Sequence, residues 1–136
     1  MLDIKLLRDD PAAFDRALQR RGLEASSSRL LAIDARRRQA QTELQTLQAR
    51  RNEASKEIGK LKRDGGNSDA LMAEIATIKE RVPALESDDK AAGDELDTLL
   101  ASLPNVPAED VPLGKDEHDN SCVRTVGKRK NFAFQP

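Results

Sequence analysis

Few side chains in this sequence are placed for covalent chemistry. The single histidine, His118, lies in the acidic run Leu113-Gly-Lys-Asp-Glu-His-Asp-Asn120, and the single cysteine, Cys122, follows it. One of each cannot build a His/Cys metal cluster, and a lone cysteine excludes an internal disulfide. Gly65-Gly66 carries no phosphate-loop pattern and reads as a turn. Carboxylates abound, but on solvated helix faces they are charge decoration rather than acid/base pairs, so no catalytic residue and no metal site is expected. The chemistry that the residues do suggest is non-covalent. In Arg50-Arg-Asn-Glu-Ala-Ser-Lys-Glu-Ile-Gly-Lys-Leu-Lys-Arg63, the residues Asn52, Lys56, Gly59, Lys60 and Arg63 share one outward face, with Ser55 beside them. Long basic side chains next to Asn, Ser and a glycine that admits close backbone approach suit a phosphodiester backbone.

A basic face of this kind needs a rigid support, and the surrounding sequence supplies one. Leu30, Ile33, Arg37, Ala40, Leu44, Leu47, Arg51, Ala54, Ile58 and Leu61 follow an alternating 3-4 spacing, and eight of the ten are apolar. That is the seam of a coiled coil. A helix over this run is a rod of roughly 50 Å at 1.5 Å per residue, and its apolar stripe requires a partner. The partner is in the same chain. Leu71, Ile75, Ile78, Val82, Leu85, Asp89, Ala92, Leu96, Leu99 and Leu103 form a second seam. The intervening Arg63-Asp-Gly-Gly-Asn-Ser68 is long enough only for an antiparallel return, with Ser68 as the expected N-cap. Pro83 and Gly93 weaken this second helix, and a bend is expected near Lys79–Pro83 on a solvent-facing side.

The expected fold is therefore mainly all-α, a long antiparallel two-helix hairpin with small additions at both ends. Residues 1–27 form a helical unit in which Asp10-Pro11 starts a helix and Gly22 ends it. Phe14, with Leu2, Ile4 and Leu7, is expected to dock on the base of the long helix. Residues 28–103 form the arm, with helices at about 28–63 and 69–102 joined by a turn at 64–68, and the last serines of Ala25-Ser-Ser-Ser28 can cap the first. Residues 104–136 read as a proline-broken linker with possible edge strands at Val123-Arg-Thr-Val126 and Phe132-Ala-Phe134.

Composition fits a thin seam better than a wide core. Charged residues make up 35% of the chain and aromatics 2%, with no Trp or Tyr, against about 25% charged in an average soluble domain. The N-terminus lacks the apolar core of a signal peptide, and no run approaches the ~18 apolar residues of a membrane span. A soluble cytoplasmic protein is expected. Net charge is −1, so attraction for a polyanion must come from distribution. Residues 29–63 hold ten Lys/Arg against four Asp/Glu, and residues 69–102 hold three against nine. Mutual neutralisation explains much of this, above all for Arg29–Arg38.

Setting Leu61 opposite Leu71 places Arg36 beside Glu95, but also Arg50 beside Arg81, Glu43 beside Asp88 and Glu57 beside Glu74. Diagonal neighbours alternate in sign and allow a solvated ladder. The sharper alternative makes Arg50 and Arg81 a cationic step awaiting a phosphate, in which case Arg81→Glu weakens RNA binding and leaves the melting temperature level or higher. Arg37 and Arg51, inside the seam, are expected to pack their stems and send their guanidinium groups to Glu95 or a similar carboxylate.

Four collinear segments resemble the N-terminal region of bacterial seryl-tRNA synthetases. They are Met1-Leu-Asp-Ile-Lys-Leu-Leu-Arg-Asp-Asp-Pro11, Arg51-Asn-Glu-Ala-Ser-Lys-Glu-Ile-Gly-Lys-Leu-Lys62, Leu103-Pro-Asn-Val-Pro107 and Val111-Pro-Leu-Gly-Lys-Asp-Glu-His-Asp-Asn120. The resemblance implies a helical arm projecting from a class II catalytic domain and holding the long variable arm and elbow of serine tRNA, typically across a homodimer. It implies ATP and magnesium for the parent enzyme, none of them in this stretch, and no membrane or DNA partner. Pro83 and Gly93 depart from the smoother charged helix of that family. Two alternatives stay open on the residues alone: a structural hairpin that binds another protein, and the helical arm of a different synthetase.

Overall fold

The two seams become two long helices, α3 (Ser27–Arg63) and α4 (Asp69–Ser102), packed along each other. They are preceded by α1 (Ile4–Asp9) and α2 (Pro11–Gln19). The computed structural model describes residues 2–114 and 116–128. Cross-links from Arg36 to Glu95 near the base and from Arg50 to Glu74 near the tip show that α3 and α4 run antiparallel. All ten positions of each seam are buried or half-buried.

The core has a thick base and a thin arm. At the base, Leu2, Leu7, Phe14 and Leu18 of the N-terminal unit share one cluster with Leu30 and Ile33 of α3 and Ala92, Leu96 and Leu100 of α4. Farther out, Ala40, Leu44 and Leu85 form a smaller cluster flanked by Leu47 and Val82. Full burial of each such aliphatic side chain contributes about 1.5–3 kcal/mol, so the base anchors the arm. Leu100 lies outside the 3-4 seam yet is almost completely buried. It belongs to the same cluster as Leu7, Phe14 and Leu18, so the buried stripe of α4 is wider at the base than the seam alone.

Local chemistry sets where the helices start and stop. Asp3 and Asp10 accept from the backbone N–H groups of Lys5 and Ala13 at 2.9 and 2.8 Å, capping α1 and α2. Gly22 ends the N-terminal unit with φ +71°, and Gly65 follows α3 with φ +74°. The Gly66 N–H returns to the Leu61 carbonyl at 2.8 Å, the 6→1 bond of a glycine-terminated helix. Two caps differ from expectation. No serine side chain caps α3; Asp15 of α2 accepts from the N–H groups of Ser26 and Ser27, each at 3.0 Å, and from the Ser27 hydroxyl at 2.5 Å. Before α4, Asn67 rather than Ser68 accepts from the Asp69 N–H, at 2.7 Å. A second clamp joins Arg8 to the buried Asp34 of α3 through two bonds of 2.9 and 2.6 Å.

Helix α4 runs through Pro83 without interruption, and Pro83 faces solvent. Gly93 is buried, and a Cβ there would be in ordinary van der Waals contact, 3.5 Å, with the Arg37 guanidinium. Arg37 packs over Gly93, and its Nε donates to Asp89 at 3.3 Å. Beyond α4 the described residues are irregular apart from one 3-10 turn, Glu117–Asp119. Arg20 ties this segment back by donating to the carbonyls of Ala108 and Val111 at 3.3 and 2.7 Å. The expected strand at 123–126 does not form: Val123 and Val126 are 94% and 80% exposed, and no strand among the described residues lies beside them to complete their hydrogen bonds. Residues 132–134 lie outside the described residues.

Burial alone would raise the Asp15 carboxyl's pKa, but the bonds from the Ser27 hydroxyl and the Ser27 and Ser26 N–H groups outweigh it and hold the group below its ordinary 3.8. Its contribution is therefore present above about pH 4 and is lost as pH falls through the lower folded value. Asp15→Ala is expected to cost about 1–2 kcal/mol at pH 7 and to flatten the acid limb of a stability–pH curve measured by urea unfolding. Pro83→Ala restores a helical N–H and is expected to stabilise the chain by about 2–3 kcal/mol, seen as a higher melting temperature.

Candidate nucleic-acid interface

At 100° per residue, the outer half of α3 sorts its side chains into sectors. Asn52, Lys56, Gly59, Lys60 and Arg63 lie on one exposed sector together with Ser55. The Ser55 hydroxyl donates to the Arg51 carbonyl at 2.8 Å, and Arg63 Nε donates to the Gly59 carbonyl at 3.2 Å. Both bonds are local and leave acceptor or donor capacity facing water. Lys56 and Lys60 form no ion pair among the described residues. A Cβ built on Gly59 meets nothing within 4 Å, so the backbone there is open to a large partner.

Arg50 and Arg81 have a different environment. Arg50 donates to both carboxylate oxygens of Glu74, at 2.6 and 2.7 Å, with Glu57 at 3.4 Å and Glu53 at 3.9 Å. Its hydrogen bond to Glu74 raises the Arg50 pKa, and the same bond pulls Glu74 below its ordinary carboxylate value. Arg81 reaches Glu43 at 2.9 Å. The two-arginine step of the sequence reading is thus replaced by the alternating ladder, because each arginine stem is long enough to swing to its diagonal neighbour. Arg36 reaches Glu95 at 2.9 Å as the register requires. Arg37 finds Asp89 rather than Glu95, and Asp89 also accepts from Gln41 at 2.9 Å. Arg51 has no carboxylate partner among the described residues.

The cations of the arm therefore divide in two. Arg36, Arg37, Arg50 and Arg81 cross-link α3 to α4. Lys56, Lys60 and Lys62 near the tip form no ion pair among the described residues, nor do Arg51, Lys79 and Lys90, or Arg29 and Arg38 nearer the base. Sequence reasoning did not single out Lys62 because it follows the seam residue Leu61; helical projection places it at the edge of the basic sector. No group of three His, Cys, Asp or Glu among the described residues is arranged for a metal, and no helix among them is long and apolar enough to cross a membrane.

Comparison with known proteins gives a consistent picture. A family model described as the seryl-tRNA synthetase N-terminal domain matches residues 1–107. A serine–tRNA ligase of Paramagnetospirillum magneticum is 54% identical over 134 residues, covering 98% of this chain and 32% of the relative. One from Rhodospirillum centenum is 57% identical over 132 residues, covering 97% and 31%. This chain thus spans about a third of the length of these curated relatives. Among solved structures, seryl-tRNA synthetase from Pyrococcus horikoshii, complexed with ATP, aligns with TM-score 0.79 and 34% identity over 88% of this chain and 27% of its own. Cytoplasmic serine–tRNA ligase from Naegleria fowleri, in complex with AMP, shares the fold with TM-score 0.74 at 20% identity, over 96% and 36%.

The ladder reverses one expectation about stability. Arg81→Glu removes the bridge to Glu43 and sets a further carboxylate on a flank that already carries Glu43 and Asp88. The melting temperature, followed by circular dichroism, is expected to fall rather than hold level, and to recover when Glu43→Arg is added.

Proposed function

Because this chain belongs to the seryl-tRNA synthetase N-terminal domain family, we propose that its arm holds the long variable arm and elbow of serine tRNA for a catalytic domain outside these 136 residues. The observation that carries the reading is the contrast along α3. Arg36, Arg37 and Arg50 are tied to α4, whereas Lys56 and Lys60, with Asn52, Ser55, Gly59 and Arg63, present an exposed basic sector. Such a surface reads shape and phosphate position, which suits an RNA distinguished by an extra stem. Arg50 and Arg81 support the reading indirectly: their ladder keeps the basic sector stiff.

The arm's contribution is geometric. Holding the tRNA far from its acceptor end raises the effective concentration of that end at a distant site. Serine activation with ATP and magnesium, transfer to the terminal ribose, cytoplasmic location and homodimerisation belong to the whole enzyme in this proposal. The arginine–carboxylate ladder by itself would equally suit a hairpin built for a protein partner, so the test must separate RNA from protein recognition.

In the full-length enzyme, Lys56→Ala with Lys60→Ala is expected to raise KM for tRNA and to leave ATP–pyrophosphate exchange intact. Loss of exchange in a folded variant would refute the division of labour. For the chain itself, serine tRNA is expected to bind more tightly than the same tRNA without its variable arm, and the double variant to lower the salt slope by about 2. Equal binding of the two RNAs would favour the protein-binding hairpin.

A further inference from the structure

The tip of the arm has two flanks, and they are chemically unlike. On one, Arg50 sits among Glu53, Glu57 and Glu74, and Arg81 sits on Glu43. Every carboxylate of the outer half of α3 lies on this side. The opposite flank holds an open groove of about 520 Å³ between α3 and α4, rimmed by Arg51, Lys62 and Lys79 over a floor of Ile58, Met72 and Ile75. No carboxylate lines it, and none of its three cations has an ion-pair partner among the described residues. Met72 is 50% exposed, which is unusual for a large apolar side chain beside a seam.

The groove also continues into the basic sector. At 100° per residue, Arg51, Lys62 and Ser55 are followed around α3 by Gly59, Asn52, Arg63, Lys56 and Lys60 without an intervening acidic side chain. Going the other way from the seam leads at once to Glu57 and Glu53. A polyanion lying along α3 therefore meets like charge on one flank and only cations on the other. Lys79 adds a contribution from α4, the acidic helix, at the one place where that helix turns a cation toward the tip of α3.

Resting on the tRNA-binding reading above, we propose that the RNA backbone enters the hairpin on this flank, with Arg51, Lys62 and Lys79 gripping successive phosphates of one strand and Met72 packing against a ribose or base edge. The site then spans both helices, and Arg51 changes role from a seam spacer to an RNA ligand. The apolar floor gives the grip a component that salt does not screen, because burial of Met72 against a sugar does not depend on counterion release.

The test uses this chain and serine tRNA, with affinity measured across a salt series. A triple variant, Arg51→Gln, Lys62→Gln and Lys79→Gln, is compared with Lys5→Gln, Arg29→Gln and Lys90→Gln, which removes the same charge elsewhere. The groove variant is expected to lower the salt slope by about 3 and to weaken binding at least tenfold, while the control changes it less than threefold. Met72→Glu, at an exposed position that tolerates a charge, is expected to weaken binding with the melting temperature unchanged. Equal losses in both triple variants, or full affinity in Met72→Glu and the groove variant, would overturn this placement while leaving tRNA binding by the arm intact. No binding of tRNA by the unaltered chain would instead remove the functional reading, and this inference with it.

Discussion

Neither long helix can exist in water without the other, and the rest of the molecule follows from that constraint. Each carries an apolar stripe along its whole length, while little else in the chain is apolar enough to cover it. Antiparallel pairing buries both stripes with a five-residue connection whose glycines close the turn at little steric cost. The product is a narrow rod with a large surface for its mass. Such a shape is poor at enclosing a small substrate and good at touching an elongated one.

Register is the second consequence. A seam of leucines and alanines tolerates sliding, but Asp89 in the seam must meet donors, and it finds Arg37 and Gln41. Shifting the helices by a turn would strand Asp89 against apolar neighbours, the kind of penalty through which a polar seam residue specifies alignment. The Arg36–Glu95, Arg81–Glu43 and Arg50–Glu74 bridges repeat the same instruction along the arm. These exposed bridges are weak one by one, and their effect lies in agreeing with one another.

Charge then serves two purposes on one scaffold. Where the helices exchange arginines and carboxylates, the surface is neutralised internally and has little left for a partner. Toward the tip of α3 the acidic residues retreat to one flank, and the lysines on the other side keep their charge. A chain with a net charge of −1 can in this way present a cationic face. At the base, Arg8 on Asp34 and Asp15 on the start of α3 fix the small helices to the arm, so force applied at the tip is transmitted to a packed core rather than to a hinge.

The sequence by itself determined the two helices, their antiparallel pairing, the docking of Phe14, Leu2, Ile4 and Leu7, and the stretch of α3 where basic residues gather. These follow from periodicities of 3 and 4 and from local turn chemistry, which act over a few residues. The family was legible too, because four motifs stand in order. Only the tertiary structure decided which cations are free. A one-dimensional register aligns Cα positions, but an arginine reaches diagonally across the seam, so Arg50 and Arg81 each found a carboxylate that the direct pairing did not assign. The same holds for Asp15 capping α3 from another helix and for Leu100, buried in a cluster that gathers residues distant in sequence. The strand expected at 123–126 failed for the converse reason: alternation is a local signal, and a strand needs a neighbour that the described residues do not provide.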